Sequence, residues 1–106
     1  TEEFLLNKIG HILESRNGRI SRNELEIIMN YNGDYLNRII KKYTGLTLTE
    51  YSLVFTLKEA QRLLLPSDKG ISDIIHDLGF SNRSYFYKIF SQKYGMTPKE
   101  YREKNR

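Results

Sequence analysis

The 106-residue chain is long enough for one domain or two small subdomains sharing a core, and its 39% hydrophobic and 28% charged residues place it in the ordinary globular class. It has no cysteine, which excludes disulfides, thiolate catalysis and cysteine-based metal sites and fits a reducing cytosol. A formal net charge of +4 leans toward a polyanionic partner, while no apolar run approaches the about 18 residues of a membrane span and no signal peptide is visible.

In chain order, Phe4, Leu5, Ile9, Ile12 and Leu13 stand at helical spacing, and Asn17-Gly18 signals the end of that first helix. Ser21 followed by Glu24 is a capping box that opens a second helix, carrying Leu25 and Ile28 inward. The stretch NYNGDY interrupts it, and a third helix runs from about Gly33 to Tyr43 with Leu36, Ile39, Ile40 and Tyr43 on one side. Thr47 and Glu50 form another capping box and open the longest helix, which Pro66 stops after Leu65. Ile71, Ile74, Ile75 and Leu78 make the apolar face of a fifth helix closed by Gly79, and the stretch FSNRSYFYKIF supplies the sixth. Thr97-Pro98-Lys99-Glu100 combines a capping box with proline at the first helical position and starts a short terminal helix. No stretch alternates as a strand would, so the expected fold is all-α. A chain that opens on Thr1 rather than methionine is also expected to be cut from a longer protein.

The sequence repeats itself. Asn32, Tyr35, Arg38, Gly45, Thr47, Glu50 and Tyr51 recur fifty residues later as Asn82, Tyr85, Lys88, Gly95, Thr97, Glu100 and Tyr101. Upstream the register slips by one residue, so that Leu25, Met29, Asn30 and Tyr31 match Ile74, Leu78, Gly79 and Phe80. Each copy is a short helix, a tight turn and a second helix. The turn holds Asn30 in one copy and Gly79 in the other, the two residue types that most readily turn left-handed. Asn32 and Asn82 then stand where a side-chain acceptor would cap the second helix.

At about 100° per residue the helix after Asn82 divides into two faces. Phe86, Ile89 and Phe90 fall on the core side with Phe80, Tyr85 lies on the flank, and Arg83, Ser84, Tyr87, Lys88 and Ser91 face outward. The outward set in the first copy is Gly33, Asp34, Asn37, Arg38 and Lys41. Polar and cationic residues at the start of a helix after a sharp turn suit a DNA major groove, where they meet base edges or phosphates. The helix N-terminus adds amide donors for phosphate.

On these residues the chain resembles the DNA-binding domain of the AraC/XylS transcription regulators. The segment ISDIIHDLGFSNRSYFYKIFSQKYGMTPKEYR follows that family's signature closely, LEIIMNYNGDYLNRIIKKYTG follows it less tightly, and LTEYSLVFTLKEAQRLL is similar to the linking helix. The resemblance implies seven helices in two helix-turn-helix subdomains, residues 1–45 and 67–106, joined by a linking helix over 46–66. It implies recognition helices in successive major grooves of promoter or operator DNA, with contacts from Asp34, Asn37, Arg38 and Lys41 and from Arg83, Ser84, Tyr87 and Lys88. No cofactor is implied. The setting implied is cytoplasmic and nucleoid-associated, with RNA polymerase as a further partner, a monomeric isolated domain and a dimeric full-length regulator.

Several residues depart from the family pattern. Arg22 stands where an aliphatic residue is usual, Glu26 and Ile75 where a small one is favoured, and Gly33 in place of a common proline. Asp34 puts a carboxylate on a surface that would approach phosphates. It either accepts from cytosine N4 or complements the helix dipole, and the second role is preferred. The competing reading, a helical protein-interaction module that has lost DNA, predicts acidic or apolar outward faces, which Arg83, Tyr87 and Lys88 do not provide. His11 and His76 lack the partners of a metal site or a triad, and no nucleophile with a base points to an enzyme.

Overall fold

The structure is a computed structural model that describes every residue from Thr1 to Arg106. Six of its seven helices begin where side chains satisfy orphan amides. Helix α1 (Glu2–Ser15) starts on Thr1, α2 (Arg22–Met29) on the Ser21–Glu24 box, and α3 (Gly33–Thr44) on Asn32. Helix α4 (Leu48–Leu64) opens on the reciprocal Thr47–Glu50 pair, with Thr47 N–H donating to Glu50 Oε1 at 2.9 Å and Glu50 N–H to Thr47 Oγ1 at 3.2 Å. Helix α5 (Ile71–Asp77) has no side-chain cap, α6 (Arg83–Tyr94) starts on Asn82, and α7 (Pro98–Asn105) starts on the Thr97–Glu100 box. There is no strand.

The chain forms two compact units, residues 1–56 and 57–106, so that α4 contributes to both. In the first, Ile9, Leu13, Leu25, Met29, Leu36 and Ile40 form the core, with Leu48, Tyr51 and Phe55 of α4 packed against it. In the second, Leu57, Ala60 and Leu64 pack with Ile74, Ile75, Leu78, Phe86 and Phe90. The repeat is therefore one of packing as well as of letters: Leu25 and Ile74, Met29 and Leu78, Leu36 and Phe86, Ile40 and Phe90 are all buried. The rings of the second unit interlock, Phe86 lying 5.1 Å from Phe80 edge to face and 5.7 Å from Phe90, and Phe90 lying 4.6 Å from Tyr94.

Several side chains lie elsewhere than the periodicity predicts. Met29, not Ile28, is the inward residue of α2, and Ile28 is 41% exposed. In so short a helix, positions three and four after Leu25 are equivalent until a neighbour selects one. Phe4 is 65% exposed near the start of α1, Tyr43 is exposed on α3, and Ile89 is only partly buried beside the second core. Gly33, expected outward, is buried because a side chain from α2 covers it.

The turn after α1 depends on a glycine. Gly18 has φ +73°, and a Cβ there would run into the carbonyl oxygen of Ser52 and the hydroxyl of Thr56. Thr56 is buried and donates to Asn17 O at 2.8 Å, which ties this turn to α4 within the first unit.

Two consequences are measurable. Phe86→Ala should cost about 3–5 kcal/mol, the range for a core phenylalanine, and a near-native urea midpoint would contradict the packing described. The carboxyls of Glu24, Glu50 and Glu100 are held below the ordinary carboxylate range, chiefly because the ionised form accepts from the backbone N–H of Ser21, Thr47 and Thr97. Their folded values lie below their unfolded ones, so this stabilisation is complete above about pH 4.3 and is lost as pH falls through the lower folded values. Replacing all three with glutamine should flatten the acid decline of the urea midpoint; a decline as steep as that of the unsubstituted chain would show that these caps do not drive it.

Candidate nucleic-acid interface

Both second helices of the repeat, α3 and α6, have 12 residues and follow a turn whose key residue is left-handed, Asn30 at φ 60° and Gly79 at φ 90°. Each then starts on an asparagine in extended conformation. Asn32 Oδ1 accepts from Asp34 N–H at 2.7 Å and Asn82 Oδ1 from Tyr85 N–H at 3.0 Å. Each ends on a left-handed glycine, Gly45 or Gly95. The start of each helix is thus fixed in direction by a cap; that of α6 is left open to solvent, while at α3 the first residue, Gly33, is buried.

On α6 the outward residues Arg83, Ser84 and Lys88 are exposed. Tyr87, expected to face out, is partly buried: its ring packs edge to face on Phe86 at 6.3 Å, and the Arg83 guanidinium lies over it, 5.6 Å from the centroid. A tyrosine on the flank of an amphipathic helix buries its ring and leaves its hydroxyl at the surface. Arg83 Nη2 reaches that hydroxyl at 3.5 Å. The two therefore act as a stacked pair in which the ring limits where the guanidinium can go.

That pair shares an open hollow of about 490 Å³ with Lys99, Arg102 and Arg106 and with the start of α5 at Gly70–Ser72. Arg102 Nε donates to Leu64 O at 2.8 Å and so closes the end of α4, and its buried Nη2 has no acceptor in the chain. Arg106 is held to Asp68 by an ion pair and to Ser67 O at 3.0 Å. Lys99 and Arg102 are absent from the sequence-derived site because helical spacing within α7 does not say which helix its cations will face, and Arg106 because it lies just past the end of α7.

On α3, Arg38 and Lys41 are exposed, and the Arg38 guanidinium lies 5.5 Å from the Tyr35 ring. Asn37 is half-buried and its Oδ1 accepts from Leu48 N–H at 2.8 Å, so the amide nitrogen is the donor left to it. Asp34 is exposed but paired: Arg22 Nη2 donates to its Oδ1 at 2.6 Å. Glu26 bridges the turn, its carbonyl accepting from Asn30 N–H at 2.8 Å and its Oε2 from Gly33 N–H at 2.6 Å. Three of the departures noted in the sequence, Arg22, Glu26 and Gly33, thus meet at one place, with Asp34 beside them. No group of three histidine or acidic side chains could hold a metal ion, and no helix is long and apolar enough to cross a membrane.

A family model described as a helix-turn-helix domain matches residues 27–104. The chain is 35% identical over 103 residues to the probable transcription factor PqrA of Proteus vulgaris, covering 92% of this chain and 84% of that one. It is 39% identical over 69 residues to the regulatory protein PocR of Salmonella typhimurium, covering 65% of this chain and 23% of that one. Among solved structures, an AraC-type transcriptional regulator from Chromobacterium violaceum superposes with a TM-score of 0.87 at 25% identity over 94% of this chain and 90% of that one. The chain belongs to the AraC/XylS family of transcription regulators, as a helix-turn-helix DNA-binding domain. It spans 23% to 36% of the length of the first curated relatives that it matches.

Glu26→Ala removes the acceptor of a half-buried amide and should destabilise the first unit by about 1–3 kcal/mol, whereas glutamine should retain most of the contact. Equal urea midpoints for alanine and glutamine variants would show that the Gly33 amide needs no acceptor.

Proposed function

We propose that α3 and α6 are the two recognition helices and that each enters a major groove of promoter or operator DNA. The residues assigned to contact are Asn37, Arg38 and Lys41 on α3, and Arg83, Ser84, Tyr87 and Lys88 on α6; Asp34, expected in this set by resemblance, is left out because its carboxylate is paired with Arg22. The observation that carries this reading is the stacked Arg83–Tyr87 pair at the exposed, asparagine-capped start of α6. A guanidinium ordered by a ring loses less freedom on binding than a free one, and its fork matches guanine O6 and N7 or a phosphate. Helix α3 supports the same reading with Arg38 and Lys41, although the Asn37 carbonyl is turned to α4. Lys99, which lines the same hollow as Arg83 together with Glu103 and the Asp68-paired Arg106, adds a cation suited to the neighbouring backbone. The chain alone is read as a monomer working at the nucleoid, where a transcription regulator also meets RNA polymerase.

Selection from a randomised duplex pool at two salt concentrations tests this directly. The expected product is a two-part motif with centres about ten base pairs apart, retained less well at the higher salt. A single half-motif would assign base reading to one unit only, and no retention at low salt would overturn the DNA reading. Arg83→Ala should weaken binding or relax preference at one base position by roughly 1–3 kcal/mol, as measured by anisotropy on the selected duplex and its single-base variants. Unchanged affinity and preference would remove Arg83 from the contact set.

A further inference from the structure

Arg22 is the first residue of α2, twelve positions before its partner Asp34, and its side chain lies along the start of α3. The fit there is specific. A Cβ on residue 33 would overlap the Nε of Arg22 and stand 3.0 Å from its Cζ and 3.1 Å from its Cγ, so glycine is what admits this side chain. Gly33 has the ordinary helical conformation of a first-turn residue, so no left-handed backbone explains its presence. The seat is also braced from beneath by the Glu26 contact to Gly33 N–H at 2.6 Å.

Stability does not account for the arrangement. The Arg22 and Asp34 side chains are 51% and 83% exposed, and an ion pair so open to solvent contributes little to folding. Its effect is on the surface potential. Asp34 alone would set a negative charge at the start of α3, where a phosphate backbone would approach. Arg22 cancels that charge, while Asp34 engages one edge of the guanidinium and fixes its direction. The hydrogen bond to Asp34 uses one N–H, which leaves the others as donors. In a helix-turn-helix the first helix crosses the DNA backbone, so a cation at its leading end is placed for phosphate rather than for bases.

We propose that Arg22 is a phosphate-contacting residue of the first unit, seated on Gly33 and oriented by Asp34, so that Asp34 positions a cation and reads no base. This rests on the DNA reading above and adds to it a residue outside the recognition helix. Arg22 and Asp34 work as one neutral head in which only the cationic edge faces the duplex.

The test uses the 106-residue chain, the duplex it selects and a scrambled duplex, with anisotropy titrations across a salt series and thermal melts of each variant. Arg22→Ala should weaken binding to both duplexes by a similar factor, about tenfold at low salt, and lower the salt slope by about 1, with the melting temperature almost unchanged. Arg22→Lys should restore most of the slope. Gly33→Ala should melt at the same temperature or higher and yet bind more weakly, because it displaces the guanidinium without removing a charge. Asp34→Asn should leave the selected motif unchanged, and it should improve affinity more in the Arg22→Ala background than in the unsubstituted chain, since only there is the carboxylate bare. Arg22→Ala with unchanged affinity and slope, while the unsubstituted chain binds, would overturn this proposal alone. A changed base preference in Asp34→Asn would overturn it in favour of cytosine recognition. If the unsubstituted chain binds no duplex at any salt, the DNA reading fails and the proposal with it.

Discussion

Each helix pair in this protein depends on one backbone residue held in the left-handed region, Asn30 in the first unit and Gly79 in the second. A right-handed continuation at either place would carry the first helix of the pair onward and leave the second with no direction of its own. The left-handed residue ends one helix, and within three residues an asparagine begins the next. Residues so close in sequence are thereby turned onto different axes, with Leu25 and Met29 brought against Leu36 and Ile40, and Ile74 and Leu78 against Phe86 and Phe90. The buried faces are what make the turn worth its conformational cost, and the outward faces follow from them.

The two units meet this constraint with different means. Glycine in the second adopts φ 90° without a side-chain penalty, and the turn needs little else. Asparagine in the first is less at ease there, and that turn carries an additional brace, the Glu26 carboxylate reaching across to Gly33 N–H. The second unit instead concentrates its specialisation in rings. Tyr87 is partly buried against Phe86 and supports Arg83, so one residue belongs to both the core and the surface. Both copies thus set a guanidinium over a tyrosine ring, Arg38 on Tyr35 and Arg83 on Tyr87, and the first adds an arginine paired with a carboxylate.

What could be read in the sequence was what is local. Capping boxes act across three residues, so Ser21–Glu24, Thr47–Glu50 and Thr97–Glu100 mark helix starts that the structure keeps. The repeat likewise identified the turn residues and the paired core positions. What escaped depends on partners distant in the chain. Whether Ile28 or Met29 turns inward is decided by helices outside α2, and Gly33 is buried only because an arginine eleven positions earlier lies on it. Asn37 was placed outward by its angle, but the unsatisfied amide at Leu48 draws its carbonyl sideways. Arg22, Glu26 and Gly33 could be flagged as departures from the family pattern, yet nothing in their spacing showed that they meet.

Their meeting constrains how this surface can change over evolutionary time. A proline at position 33, common in the family by resemblance, would have no N–H for Glu26 and no room for Arg22. Changed first, Gly33 would strand a carboxylate and an arginine; changed last, it would have to await both. The residues at 22, 26, 33 and 34 are therefore coupled through their contacts, and moving Arg22, Glu26 or Asp34 alone into a relative would transplant a charge without its seat. Descendants of this chain would be expected to keep the set whole or to lose it whole.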